Sequence, residues 1–121
     1  HYLVKDASRN VAKALDQPSN RNKDAKRAEL DYEMIMEVGG NCLIEVHPIT
    51  GRPHQIRAQL AKIGCPIRGD VKYGYPTAHR DGMIYLHCRE LSFEHPVKKE
   101  PVTITAALPD EQVWRMFERD L

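Results

Sequence analysis

The stretch His47-Pro-Ile-Thr-Gly-Arg-Pro-His-Gln-Ile-Arg-Ala-Gln-Leu-Ala-Lys-Ile-Gly64 decides how this chain folds. It leaves an apolar strand, turns at Thr50-Gly51 and enters a helix expected over 53–63. Pro53 suits the first turn of that helix, where a missing N–H costs nothing. Thr50 is the expected cap, and Gly64 the expected left-handed residue just past the end. Ile56, Leu60 and Ile63 recur at helical spacing and predict a buried stripe. His54 and Arg57, three residues apart, share a face beside it. Arg52, His54, Gln55 and Arg57 thus gather at a helix N-terminus, where cations and free N–H groups favour an anion such as phosphate. The alternative from spacing alone is an ordinary amphipathic helix with a solvated polar face.

Charge extends this pattern outward. The 121 residues carry a net charge of only +1, so no global field draws in a polyanion. Locally, Arg52, Arg57, Lys62, Arg68 and Lys72 stand against Asp70 alone, a net of +4 over 52–72. Over 110–121, Arg115 and Arg119 face Asp110, Glu111, Glu118 and Asp120, a net of −2. A basic middle and an acidic tail imply one face for a polyanion, against the alternative of charges mixed over the surface. The segment 1–27 is also basic at +4. It reads either as a surface excursion or as a source of contacts to a nucleic-acid backbone.

The length fits one small domain. Cys42, Cys65 and Cys88 are odd in number and form no CxxC, which argues against a disulfide framework and against a zinc site. A reduced, cytoplasmic setting is expected, and no apolar run is long enough to span a membrane. The chain opens on His1 rather than Met, on an apolar run that already reads as a strand; a piece of a longer protein is expected.

In chain order, 17–22 reads as a loop and Lys23 to Arg27 as solvated. Leu30, Tyr32, Met34 and Met36 alternate with acidic residues, predicting a half-buried strand over 29–38. Gly39-Gly40-Asn41 turns the chain into a second strand, Cys42–His47. After the helix, 71–82 reads as loop. Strands are expected over Met83–Cys88, Leu91–His95 and Val102–Ala106, and a C-terminal helix from Pro109 with Val113, Trp114 and Phe117 on its apolar face. Antiparallel strands with two helices make the expected class α+β.

No GxSxG or phosphate-cradling loop is present. The histidines have no zinc spacing, so each reads as structural. Asp70, after Gly69, reads as a turn cap, and Cys65 as a small buried hydrophobe. Arg57 differs. An arginine mid-helix among apolar neighbours calls for a carboxylate or phosphate partner, bidentate where geometry allows; the alternative is a snorkelling stem.

Taken together, Thr50-Gly-Arg-Pro-His-Gln-Ile-Arg57, then Leu60-Ala61, then Gly64-Cys-Pro-Ile-Arg-Gly-Asp-Val-Lys-Tyr-Gly74, closely resemble the RluA-type RNA pseudouridine synthases. The family pattern is T-G-R-x-H-Q-I-R, H-L-A, G-x-P-I-x-G-D, Y-G. Leu86-His87 to Leu91, Phe93 and His95-Pro96 resemble its later L-H-x-x-x-L-x-F-x-H-P motif. His1 to Asp6 resembles the segment just beyond its base-stacking tyrosine motif, although that tyrosine is not placed on Tyr2. Gln59 and Cys65 replace histidines of many members without removing a catalytic group. The family's nucleophilic aspartate lies in H-R-L-D-x-x-T-S-G, and no such string occurs in residues 1–121.

The resemblance therefore implies the C-terminal portion of a single catalytic domain, 1–121, whose upstream half is a missing partner. It implies isomerisation of uridine to pseudouridine in ribosomal or transfer RNA, with no cofactor and no metal. The uridine is flipped out, the aspartate opens the glycosidic bond, the uracil rotates, and carbon replaces nitrogen at the sugar. Arg57 would pair with that aspartate, which lies outside these residues, and Leu86 would pack near the base. Arg52, His54, Gln55, Lys62, Arg68 and Lys72 would line the RNA side. The chain by itself is expected to be inactive. The alternative function is a non-catalytic RNA-binding module on the same scaffold. Strand edges left by a cut sheet would favour dimers or strand exchange in crystals.

Overall fold

The structure is a computed structural model that describes residues 1–6, 8–18, 24–94 and 96–118. The loop expected over 19–22, Lys23, His95 and the tail charges Arg119 and Asp120 lie outside the described residues. Among the described residues the fold is α+β: strands in antiparallel pairs and two α-helices. The chain divides into two compact units, His1–Ile35 with Ile44–Tyr85, and Met36–Leu43 with Leu86–Leu121.

In the first unit β1 (Tyr2–Asp6) lies between β2 (Val11–Leu15) and the two-residue β3 (Lys26–Arg27), antiparallel to both. Register pairs Leu3 with Ala14 and Lys5 with Ala12. Leu3, Ala14, Ala28 and Ala58 form the buried cluster, with Ala12 and Tyr73 packed against it. Three of its four members are alanines, so the helix backbone can lie close to the sheet without a bulky side chain between them.

Helix α1 spans Gln55–Lys62 and begins later than the spacing suggests. It buries Gln55, Ala58, Gln59 and Leu60. Only Leu60 of the expected stripe is buried, which contributes about 2 kcal/mol; Ile56 is half-buried and Ile63 exposed. The face is rotated because Gln55 and Gln59 both find hydrogen-bond partners on the inner side, beside the small Ala58. The helix end follows the sequence. Gly64 has φ +87°, its N–H bonds Ala61 O at 3.0 Å, and Cys65 N–H bonds Leu60 O at 2.8 Å. That pair of bonds is a Schellman motif.

β4 (Leu30–Val38) and β5 (Asn41–Pro48) form the expected hairpin. Gly39 and Gly40 both have positive φ, +56° and +80°, as a two-residue type I′ turn requires. The alternation is present but its apolar face is not covered: Tyr32 is 55% exposed and Met34 59%.

The second unit holds β6 (Glu90–Glu94) paired antiparallel with β7 (Pro101–Thr105), and α2 (Gln112–Glu118). Trp114 and Phe117 are buried, Val113 is half-buried, and the His87 ring meets the Trp114 ring edge-on at 6.0 Å. The strand expected over Met83–Cys88 does not form. Its Tyr85 N–H instead bonds Arg68 O at 3.0 Å, a loop contact rather than a ladder.

Candidate functional site

The loop entering α1 is folded around one backbone position. Glu29 O accepts the N–H groups of Ile49 and Thr50 at 2.9 and 3.1 Å, and the Gln55 Nε2 amide at 3.0 Å. Gln55 Oε1 accepts the Thr50 hydroxyl at 2.6 Å and the Arg52 N–H at 2.9 Å. Thr50 is therefore not the helix cap; its Oγ1 also takes the Glu29 N–H at 3.0 Å. Gln55 is buried with its amide bonded on both sides, so it pins the loop and is not offered to RNA. The helix cap is His54, in the left-handed conformation at φ +54°, without a side-chain capping bond. A left-handed histidine costs on the order of 1 kcal/mol, and such positions concentrate at functional sites.

That turn aims the His54 ring and the Arg57 guanidinium at the short 3-10 helix Val71–Tyr73. Arg57 Nε and NH2 donate to Asp70 Oδ2 and Oδ1, each at 2.8 Å. The Asp70 side chain is 1% exposed and that of Arg57 19%. This corrects two expectations. Asp70 caps no turn with its side chain, and Arg57 does not wait for a partner outside the chain but already has a bidentate one. The sequence could not show it, because thirteen residues and a helix end separate the two. Asp70 pushes the Arg57 pKa above its usual value, against the opposing effect of burial. The guanidinium carbon lies 4.8 Å from the Tyr73 ring centroid, a cation–π contact.

One guanidinium edge is left over. Arg57 NH1 lies 3.4 Å from His54 Nε2. An arginine nitrogen can only donate, so Nε2 must carry the lone pair and Nδ1 the proton. His54 Nδ1, 2.7 Å from Tyr73 Oη, then donates to it. Tyr73 Oη also accepts the Ala12 N–H at 2.8 Å. In that tautomer Tyr73 Oη accepts from both.

Burial, then the charges of Arg57 and Lys72, hold the His54 pKa below its ordinary value, with Asp70 opposing. The folded state thus binds this proton less readily than the unfolded one, whose histidine titrates near about 6.5. Stability from neutral His54 is complete above about pH 6.5 and is lost as pH falls toward the depressed folded value. Thermal melts should show Tm dropping from about pH 7.5 to 5. His54→Asn, which tolerates the left-handed backbone, should narrow that drop. An unchanged drop in the variant would remove His54 as its source.

Pseudouridine synthases are among the curated relatives of this chain. The chain is 34% identical to tRNA pseudouridine synthase C of Haemophilus influenzae, over 87% of this chain and 51% of the relative. It is 35% identical to the dual-specificity RNA pseudouridine synthase RluA of the same organism, over 67% of this chain and 38% of the relative. Against RNA pseudouridine synthase 1 of Oryza sativa subsp. japonica it is 45% identical, over 55% of this chain and 20% of the relative. The chain belongs to the RluA-type RNA pseudouridine synthase family. It spans about half or less of the length of the curated relatives it matches. No family model matches the chain, and no solved structure does.

In this RluA-type chain the remaining residues chosen from the sequence scatter. Arg52 is half-buried and gives its Nε to Arg27 O at 3.0 Å. Lys62 is exposed on α1. Arg68 is exposed, its guanidinium 5.5 Å from the Tyr85 ring centroid. Leu86 belongs to the second unit, where it is 43% exposed. Cys65 is exposed, not buried. Among the described residues, no helix is long and apolar enough to cross a membrane, and no group of three or more His, Cys, Asp or Glu side chains is placed to hold a metal ion. Reading the residues singly misses Tyr73, although it stands in the Y-G pair of the family motif. It is the hub that joins Ala12, His54 and Arg57.

Proposed function

We propose that this chain is the C-terminal portion of a single pseudouridine synthase catalytic domain, acting on ribosomal or transfer RNA in the cytoplasm. One observation carries the residue-level reading: Asp70 takes the Nε–NH2 edge of the Arg57 guanidinium, and of the two NH1 protons only one faces His54. Asp70 is then a fixed counterion that orients Arg57. The remaining NH1 proton would hold the nucleophilic aspartate of the upstream half ionised and aimed. The aspartate carboxylate bonds C1′ as the C1′–N1 bond breaks, the freed uracil anion turns, its C5 displaces the carboxylate from C1′, and the C5 proton is lost while N1 takes one up. Leu86 would pack on the base, and Arg52, Lys62, Arg68 and Lys72 would meet the RNA backbone.

A second reading, an RNA-binding module without catalysis, rests on the lack of an H-R-L-D string in residues 1–121. Tritium release from RNA labelled at uridine C5 separates the two. The 121-residue chain should release none. A longer product of the same gene that carries H-R-L-D upstream should release tritium. Turnover by the chain itself would overthrow the division of labour proposed, and a longer product without that motif and without turnover would favour the module.

A further inference from the structure

Behind Arg57 stand two side chains that touch no reacting group in the proposed reaction, Tyr73 and His54. Tyr73 is fixed from the sheet rather than from the helix. Its ring packs against the buried alanine cluster, and its Oη accepts the Ala12 N–H of β2 at 2.8 Å. His54 is fixed at both ends. Its backbone is left-handed at φ +54°, and its Nδ1 lies 2.7 Å from Tyr73 Oη. The two rings meet edge-on, with centroids 5.7 Å apart and planes at 79°. An imidazole held by one nitrogen presents the other at a single place, and here that place is 3.4 Å from Arg57 NH1. The Asp70 carboxylate grips the opposite, Nε–NH2 edge. Two bonds to one carboxylate still let a guanidinium rock about that carboxylate. A third contact on NH1 stops the rocking.

We propose that Tyr73 and His54 are positioning residues for Arg57: Tyr73 Oη holds His54 as the Nδ1–H tautomer, and the bare Nε2 takes one NH1 proton so that the other is aimed at the nucleophile. The inference rests on the reading in which Arg57 orients the upstream aspartate. It makes the protonation of His54 a condition of turnover. A proton on Nε2 turns an acceptor into a donor and sets two cations side by side, so the third contact on the guanidinium is lost. The groups around the ring come from three elements. Arg57 on α1, Lys72 on the 3-10 helix and Lys5 on β1 oppose that proton, and Asp70 favours it. Tyr73 Oη accepts from Nδ1–H in either charge state. Neutral His54 is the working form, so turnover falls as pH drops through its folded pKa, which burial and those cations hold below the ordinary value.

The test uses the longer product of the same gene and has two readouts. The first is the rate of tritium release from about pH 4.5 to 8.5, below the melting temperature at each pH, with circular dichroism as the check on folding. Wild type should show an acid limb below about pH 6.5, falling about tenfold per pH unit. His54→Asn should lose that limb and stay flat down to the carboxylate range, about pH 4, on a plateau about tenfold to a hundredfold below wild type. Its KM should be unchanged, since the contact serves the nucleophile and not RNA binding. Tyr73→Phe should lower kcat alone in the same way. The second readout needs no turnover: ring nitrogen chemical shifts of 15N-histidine-labelled protein, with the His54 signals assigned by their loss in His54→Asn. They should report the Nδ1–H tautomer at pH 8 in wild type and a mixture of tautomers in Tyr73→Phe. If Tyr73→Phe unfolds, the wild-type tautomer and the His54→Asn profile decide. An Nε2–H tautomer in wild type, or the same acid limb in folded His54→Asn, overturns the inference while normal release keeps the synthase reading. The Nδ1–H tautomer with no release at any pH would sink the synthase reading and leave the His54 geometry standing.

Discussion

Asp70→Ala and Arg57→Ala should each destabilise the chain by about 3–5 kcal/mol, because each leaves a largely buried charge without its partner. For a domain of this size that is a fall in Tm of about 10–20 °C. The cost is not the worth of the ion pair. Taking both charges out of water consumes most of their attraction, and the penalty arises when one is left behind. The double variant Arg57→Ala/Asp70→Ala should therefore lose much less than the sum of the singles, with a coupling of about 2–3 kcal/mol. Arg57→Lys keeps the charge but cannot span both carboxylate oxygens, so it should fall between wild type and Arg57→Ala. Additive single losses would mean that the two groups do not share one interaction. Chemical denaturation of wild type and the four variants settles it.

Gly69→Ala should be the most damaging exchange of one glycine. Its φ is +83°, and a Cβ built there meets Met83 O at 2.8 Å and Ile84 Cα at 3.7 Å. The left-handed backbone costs an alanine about 1–2 kcal/mol. A backbone oxygen cannot rotate away as a side chain could, so the contact must be relieved by moving the 83–85 segment. That movement strains the Arg68 O to Tyr85 N–H bond and the neighbouring Asp70. A total of about 3 kcal/mol is expected. Gly40→Ala is the control. It has a similar φ of +80° but nothing within 4 Å of its Cβ, so it should lose only about 1 kcal/mol. Equal losses at the two positions would mean that the close approach at Gly69 costs nothing.

Elements that announce themselves through local chemistry are legible in the sequence. The β4–β5 hairpin follows from alternation and a Gly-Gly turn, β7 from alternation, and the end of α1 from Gly64. β2 is not legible. Val11-Ala-Lys-Ala-Leu15 is alanine-rich, and its strand character comes from pairing with β1. Met83–Cys88 has strand composition but no ladder, since composition cannot supply a partner strand. The buried face of α1 escapes a reading by spacing because Gln55 and Gln59 are polar, and a polar residue joins a core only when distant acceptors exist. For Gln59 these are Ala28 O at 3.3 Å and His1 Nδ1 at 3.1 Å. Of the site, Arg57 stands out in the sequence as an arginine requiring an anion, and the structure supplies one. Asp70, His54 and Tyr73 acquire their roles only through the left-handed turn at His54 and the fold-back of 70–73, neither of which leaves a local pattern.

Arg57 is the residue on which the functional account turns, and tritium release by the longer synthase carrying Arg57→Ala tests it most directly. The variant should bind RNA with an affinity close to wild type and lose at least about a hundredfold in turnover, as removal of a preorganised charge at the reacting group does. Wild-type turnover in the folded variant would contradict the account, leaving Arg57 and Asp70 as a structural pair and placing the chemistry elsewhere.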